Sequence, residues 1–290
     1  MERSYRLFIF GLGYSARVLA RRLAEAGWAI AGTSRIVGSR PTEANFSVFP
    51  FDRDQPLGAE GIEALTTATH ILSSVPPDEI GDPVLDHHRN AFVRNDGLEW
   101  IGYLSTTGVY GDTGGAWVDE ETPIRPSGPR SVRRAEAEAA WGDLASKGAP
   151  VHIFRLAGIY GPGRNALVQL IARTAKRIDK PGHLFSRINV EDIALTLQAS
   201  IAKPNPGAIY NLCDDRPAPA EEVVRFAAAL LDIDPPPLVP FEDAELTPMA
   251  TSFYADNRRV RNERIKKELG VSLAYPDYEA GLRALLDTVR

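Results

Sequence analysis

One cysteine, Cys213, and two methionines are all the sulfur in 290 residues. A lone cysteine excludes an internal disulfide framework and any multi-cysteine metal site. Its neighbours Asp214 and Asp215 disfavour a thiolate, so Cys213 reads as an inert buried residue in an apolar strand. Histidine is scarce too. His87 and His88 are adjacent and would point about 100° apart on a helix, while His70, His152 and His183 are isolated, so none suggests a metal ligand set. No apolar run approaches the ~18–20 residues needed to span a bilayer. The start, Met1 to Gly13, has an arginine and an apolar stretch, but Leu7–Phe10 is too short for a signal peptide and no cleavage pattern follows. Positive charge is not in excess either: 33 Lys+Arg against 38 Asp+Glu leave a net charge of −5. That argues against nucleic-acid and anionic-membrane partners, both of which need a cationic surface. The expected setting is the cytoplasm and the expected partner a small molecule.

What is present is an ordinary globular composition, 44% hydrophobic, in a length that suits one large domain or two joined ones. Leu7 to Phe10 is a continuous apolar run, as in a parallel strand buried on both faces. Gly11-Leu12-Gly13-Tyr14-Ser15-Ala16 follows at once. Then Ala16, Leu19, Ala20 and Leu23 recur at helical spacing, Gly27 stops the helix, and Trp28–Thr33 is a second apolar strand. This strand–glycine turn–helix–strand order predicts dinucleotide binding. Gly11 permits the tight turn, Gly13 lets the backbone approach a pyrophosphate, and small Ala16 allows close helix–strand packing. The helix start, with Tyr14 and Ser15, offers N–H groups and partial positive charge to phosphates.

The second strand ends in Thr33-Ser34-Arg35, where NAD-preferring sites usually carry an Asp or Glu for the ribose hydroxyls. A hydroxyl and a guanidinium suit a 2′-phosphate instead. The expected cofactor is therefore NADP(H), with NAD(H) as the alternative.

Further apolar runs read as strands: Ser47–Phe51, His70–Val75, Trp100–Ser105, Val151–Leu156 and Ala208–Leu212. Helical patterns cover Asp82–Val93, with Asp82 as N-cap and Pro83 at the first helical position, then Arg130–Leu144 and Asn165 to about Ile178. Alternating strands and helices predict an α/β fold: a doubly wound parallel Rossmann-type sheet. Prolines accumulate after residue 203. Helical patterns at Ala220–Leu231, Asn257–Leu269 and Asp277–Val289 follow. The expected organisation is a nucleotide-binding domain over residues 1–203, with strand 208–214 returning to its sheet. A smaller C-terminal substrate-binding lobe would cover 215–290, with 162–186 contributing to the cleft.

Four ordered segments carry a family resemblance. Leu104-Ser105-Thr106-Thr107-Gly108-Val109-Tyr110-Gly111 resembles the "SS-x-x-VYG" segment of the extended short-chain dehydrogenases/reductases, the NAD(P)-dependent epimerase/dehydratase family. Arg155 to Gly163 resembles its "R-x-x-x-VYGPG" and Arg187 to Ala194 its "R-x-H-V-D-D-x-A", with Asn189 where histidine is common. Gly207 to Asp214 is similar to "G-x-x-YN-x-x-D". The resemblance spans nearly the whole chain. It implies a Rossmann-like domain, a nicotinamide cofactor, a C-terminal substrate lobe and commonly a homodimer. It also implies cofactor contacts at Asp52 (the adenine position, with a simple turn cap as the other reading), Ser74, Val75, Gly158 and Ile159. Substrate contacts would fall at Tyr110, Tyr160, Arg187 and Asn189, although aromatic packing is the plainer role for the two tyrosines.

The family's catalysts are a Ser or Thr on the VYG strand and a Tyr-x-x-x-Lys pair on the next helix, four apart so that both share one face. Thr106 matches the first and would hydrogen-bond the reacting oxygen. The pair is absent, since no tyrosine occurs between Gly111 and Val151. Anchored on Glu138, the family's glutamate, Arg134 takes the lysine slot and Arg130 the tyrosine slot. An arginine stays protonated and cannot serve as the general acid. Facing a cleft, Arg130 and Arg134 would clamp an anion or stabilise an oxyanion. The alternative is that Arg134 pairs with Glu138 on a solvated helix face and Arg130 caps a loop. Two functions remain open: redox or epimerase-type chemistry on a small polar or nucleotide-sugar-like substrate, and a catalytically silent NADP(H)-binding sensor or scaffold.

Overall fold

The structure, a computed structural model, describes residues 5–36 and 45–289. Seven strands form one parallel sheet: β1 (Arg6–Phe10), β2 (Ala29–Ser34), β3 (Phe46–Pro50), β4 (His70–Ser73), β5 (Trp100–Thr106), β7 (Val151–Leu156) and β11 (Ile209–Leu212). Their spatial order is β3-β2-β1-β4-β5-β7-β11. Strand order therefore reverses between β1 and β4, which pair with Leu7 opposite His70 and Phe10 opposite Ser73. Doubly wound sheets bind ligands beyond the carboxyl ends of strands at such a switch point. Each predicted sheet strand is present, with its ends displaced by two residues at most.

Helix α1 (Tyr14–Glu25) forms where the 3.6-residue pattern places it, with Ala16, Leu19, Ala20 and Leu23 buried. Gly27 continues the chain with φ +84°. Helices α2 (Ala59–Thr66), α3 (Pro83–Arg94) and α4 (Pro129–Ser146) follow. At the start of α3, Asp82 Oδ1 accepts from the N–H groups of Val84 and Leu85 at 2.9 and 3.1 Å. Its Oδ2 accepts from Trp141 Nε1 at 2.9 Å. The predicted N-cap thus also ties α3 to α4. Phe10, Phe51, Phe92, Tyr103 and Trp141 lie in one buried cluster, in which Trp141 stacks at 5.4 Å on both Phe92 and Tyr103.

The chain divides into two compact units, each made of several separate stretches of sequence. The first comprises residues 1–106, 132–155 and 194–210, and the second 107–131, 156–193 and 211–290. The second carries short parallel strand pairs: β6 (Trp117–Val118) with β13 (Arg259–Val260), β8 (Gly158–Tyr160) with β10 (Arg187–Asn189), and β9 (Arg177–Asp179) with β12 (Leu238–Pro240). Its other helices are α5 (Ala166–Ile171), α7 (Ala220–Leu231), α8 (Pro248–Ala255), α9 (Glu263–Leu269) and α10 (Tyr278–Leu285), and α6 (Val190–Ala202) bridges the division.

Two helix expectations are corrected. The pattern from Asn165 to Ile178 supports only α5, because Arg173 adopts φ +56° and the chain then extends as β9. The pattern from Asn257 to Leu269 supports only α9. Asn257 is held extended by its own carbonyl, which accepts from the N–H groups of Thr113 and Gly115 at 3.1 and 2.9 Å.

Candidate functional site

The first unit opens a cavity of about 620 Å³, lined at the carboxyl ends of β1, β2, β3 and β4. Gly11, Gly13, Ser34, Arg35, Asp52, Ser74 and Val75, all expected at a cofactor, line it together. The glycine turn is built from its own backbone and one threonine. Gly11 donates its N–H to Thr33 Oγ1 at 2.9 Å, Leu12 to Thr33 O at 2.8 Å, and Gly13 to Gly11 O at 2.7 Å. Gly11 has φ +83°, and a Cβ there would press against Val75 Cγ2 at 3.2 Å. At Gly13 a Cβ would meet nothing nearer than Gly11 O at 3.9 Å, so that face is open. Gly13 is also the N-cap of α1 and makes no side-chain capping bond. The turn bond across this cap runs from Arg17 N to Gly13 O at 3.1 Å. Ser15 and Ala16 lie two and one residues before Arg17, in the turn whose N–H groups have no partner inside a helix. An open backbone face, a helix start and a nearby guanidinium fit a dinucleotide pyrophosphate.

Arg35 is exposed at the cavity rim. Ser34 turns its hydroxyl to Ile36 O at 3.0 Å, within the chain. Asp52 Oδ1 accepts from the N–H groups of both Asp54 and Gln55 at 2.9 Å, so half of its carboxylate serves as a turn cap.

Thr106 ends β5, half-buried. Arg134 corrects one expectation. It does not reach Glu138; its Nη1 donates to Leu104 O at 2.8 Å and Tyr103 Oη at 3.1 Å, and its guanidinium lies 5.6 Å from the Tyr103 ring centre. Arg130 is exposed in the first turn of α4. Glu138 is buried, not on a solvated face. It accepts from Ser105 Oγ at 2.7 Å and from Arg155 Nε at 3.0 Å, with Arg155 Nη2 also on Oε1. The sequence signal for this pair was Arg155 itself: an arginine inside the apolar run Val151–Leu156 requires a buried carboxylate partner.

In the second unit the expected contacts fall into one ribbon. Strand β8 pairs with β10 so that Gly158 lies opposite Arg187, Ile159 opposite Ile188, and Tyr160 opposite Asn189. Arg187 Nη1 donates to Phe185 O and Ala218 O at 2.9 and 3.0 Å. Asn189 Oδ1 accepts from Glu191 N at 3.0 Å, at the start of α6. Both tyrosines are core residues and not a substrate mouth, because each phenol is spent internally. Tyr110, 1% exposed, donates to Asn211 Oδ1 at 2.8 Å. Tyr160 donates to Asp277 O at 3.3 Å, and burial raises its pKa above the ordinary phenol value. Sequence reasoning missed Asp214. Burial pushes its carboxyl up to about 8, with Arg187 pulling the other way. Among the described residues its Oδ2 has no hydrogen-bond partner. Cys213 is buried as expected; its Sγ donates to Val260 O at 3.1 Å, and burial raises its pKa well above the usual thiol value. No group of His, Cys, Asp and Glu among the described residues could hold a metal ion. Nor is any described helix long and apolar enough to cross a membrane.

No family model matches the chain. A functionally unknown conserved protein from Silicibacter pomeroyi is 48% identical, with 99% of this chain and all of that one covered, at a TM-score of 0.88. A structure from Methylobacillus flagellatus that carries the name NAD-dependent epimerase/dehydratase is 26% identical over 99% of each chain, at a TM-score of 0.75. Protein YeeZ of Escherichia coli K12 is 26% identical over 94% of this chain and 97% of its own length. Solved chains carrying NAD, among them a dTDP-glucose 4,6-dehydratase and a UDP-glucuronic acid 4-epimerase, match at 15–18% identity and TM-scores of 0.76–0.77. Those last likenesses show the fold alone.

Proposed function

We propose, for a chain that belongs to one family with the Silicibacter pomeroyi protein, an NADP(H)-dependent oxidoreductase or epimerase-type activity on a small polar or nucleotide-sugar-like substrate. The reading rests on one observation: seven residues from four strand ends, Gly11 to Val75, line a single cavity beside the start of α1. Its volume lies within the roughly 300–1,000 Å³ range of ligand sites. The neighbours named as NAD-dependent epimerases/dehydratases support a nicotinamide cofactor. When bound, the nicotinamide supplies hydride exchange. The chain's own residues do the rest. The first turn of α1 holds the pyrophosphate, and Arg35 takes the 2′-phosphate. Thr106 hydrogen-bonds the reacting oxygen. Arg130 offers positive charge to an anionic substrate group, while Arg134, bonded to Tyr103 and Leu104, positions the end of β5.

A second reading, a catalytically silent NADP(H)-binding sensor or scaffold, is favoured by the Tyr-x-x-x-Lys slots holding arginines, one of them tied to β5. The two readings share the binding test. NADPH should raise the melting temperature of the wild type, and Arg35→Ala should weaken NADPH by about tenfold or more while changing NADH little. Equal losses for both nucleotides would refute the 2′-phosphate assignment. NADPH oxidation across carbonyl and nucleotide-sugar substrates then separates enzyme from sensor. Turnover that survives Thr106→Ala would remove Thr106 from the chemistry.

A further inference from the structure

Arg53 lines the same cavity as Arg35, but its chemistry differs. Its Nε donates to Asp78 Oδ2 at 2.5 Å and its Nη1 to Asp86 Oδ2 at 2.8 Å. Its Nη2 is buried, without a hydrogen-bond partner among the described residues. All three nitrogens are therefore directed at protein or enclosed by it, yet the side chain is 19% exposed. What it can present to the cavity is its stem and the flat face of the guanidinium. The holders are themselves fixed. Asp78 Oδ1 accepts from the N–H groups of Ile80 and Gly81 at 2.9 and 3.2 Å. Asp86 stands on α3, and a ring nitrogen of His87 on the same helix lies 2.9 Å from Arg53 O.

Two carboxylates on one guanidinium leave that corner with a local charge of −1, so Arg53 does not attract a phosphate. A neutral, electron-rich ring is the ligand that a guanidinium with Nε and Nη1 committed and Nη2 enclosed still binds, through cation–π attraction and stacking over its face. The remaining lining includes Ile36, Phe51, Pro76, Pro77 and Pro83, apolar walls suited to the same ring. Asp52 has already committed one oxygen to its turn.

We infer that Arg53, held flat by Asp78 and Asp86, is the platform on which the adenine base of the cofactor stacks. This rests on the dinucleotide reading above, with Arg35 reserved for phosphate and Arg53 for base. The experiment is calorimetric titration of the full chain with ADP-ribose, which carries the base without nicotinamide, and with NADPH and nicotinamide mononucleotide. Arg53→Gln should weaken ADP-ribose and NADPH by the same factor, about tenfold, and leave the mononucleotide unchanged. Arg53→Trp, which restores a flat surface without the donors, should stay within about threefold of wild type. If Arg53→Gln fails to fold, Asp86→Asn frees one edge of the guanidinium and should cost about two- to fourfold on ADP-ribose and NADPH alike, with the mononucleotide unchanged. The inference is overturned if Arg53→Gln binds ADP-ribose within twofold of wild type, or if a folded Arg53→Trp is as weak as Arg53→Gln. Wild-type protein that takes ADP-ribose but not NADPH would sink the NADP(H) reading and leave the platform standing. Wild-type protein that takes no ADP-ribose would sink the platform.

Discussion

Removing the charge of Glu138 should be among the most damaging single changes in the first unit. Glu138 and Arg155 are 5% and 4% exposed at their side chains, so neither charge is hydrated. Glu138→Gln keeps the volume and an acceptor for Ser105, but it strands a buried guanidinium. Breaking one side of a buried pair costs about 3–5 kcal/mol. At roughly 2–4 °C per kcal/mol for a chain approaching this size, the melting temperature should fall by about 6–20 °C. Arg155→Met should cost a similar amount by stranding the carboxylate. The double variant strands no charge and should lie within about 2 kcal/mol of wild type. Urea denaturation followed by the fluorescence of the buried Trp100 and Trp141 measures all four proteins. Singles below about 1 kcal/mol, or a double variant whose loss equals the sum of the singles, would refute mutual dependence of the two charges.

Gly281 faces Tyr160 so closely that a Cβ would lie 2.0 Å from its Oη. Gly281→Ala should therefore cost about 1–3 kcal/mol, with Tyr160→Phe returning part of it, and a thermal melt unchanged from wild type would show the close approach to be wrong. Asp214, with its ordinary value near 3.8 raised to about 8, holds a proton in the folded state over pH 4–8 that the unfolded chain releases. Its contribution to stability is then full below pH 4 and is lost as pH rises through 8, by up to about 1.4 kcal/mol per pH unit. Asp214→Asn should flatten the slope of the urea midpoint between pH 5 and 8, and an unaltered slope would contradict the protonated carboxyl.

The β1–α1–β2 segment was readable from sequence because every determinant is local: an apolar run, a glycine turn, a 3.6-residue pattern and a glycine stop. The Asp82-Pro83 start of α3 was local as well. The failures at 165–178 and 257–269 are both stretches with helical spacing, drawn into extended structure by distant partners. Strand β9 pairs with Leu238–Pro240, and β13 with Trp117–Val118; no pattern within either stretch encodes those partners. Glu138 was misplaced for the opposite reason. Its spacing from Arg134 fits a surface ion pair, but the buried Arg155 on β7 competes for the same carboxylate and wins, because a desolvated guanidinium without it would be far more costly than an exposed one. At the cavity, the glycines and Arg35 were legible from their position after a strand. Arg53 was not, because its role depends on carboxylates 25 and 33 residues away.

The family motifs turn out to hold one another. The Arg155–Gly163 segment supplies β8, the Arg187–Ala194 segment supplies β10, and the two strands lie side by side. The tyrosine of the VYG segment donates to the asparagine of the YN segment. Arg155, first residue of its motif, is spent on Glu138. Retention of these residues is therefore accounted for by packing and buried hydrogen bonds, and it says little about chemistry. A chain can therefore keep all four segments for packing alone, whatever its chemistry. Arg130 is exposed, and Thr106 stands at the end of β5. Loss of turnover in Thr106→Ala with the melting temperature and NADPH affinity intact would be expected of a catalytic hydroxyl. Parallel loss of stability would reduce Thr106 to another packing residue and favour the sensor.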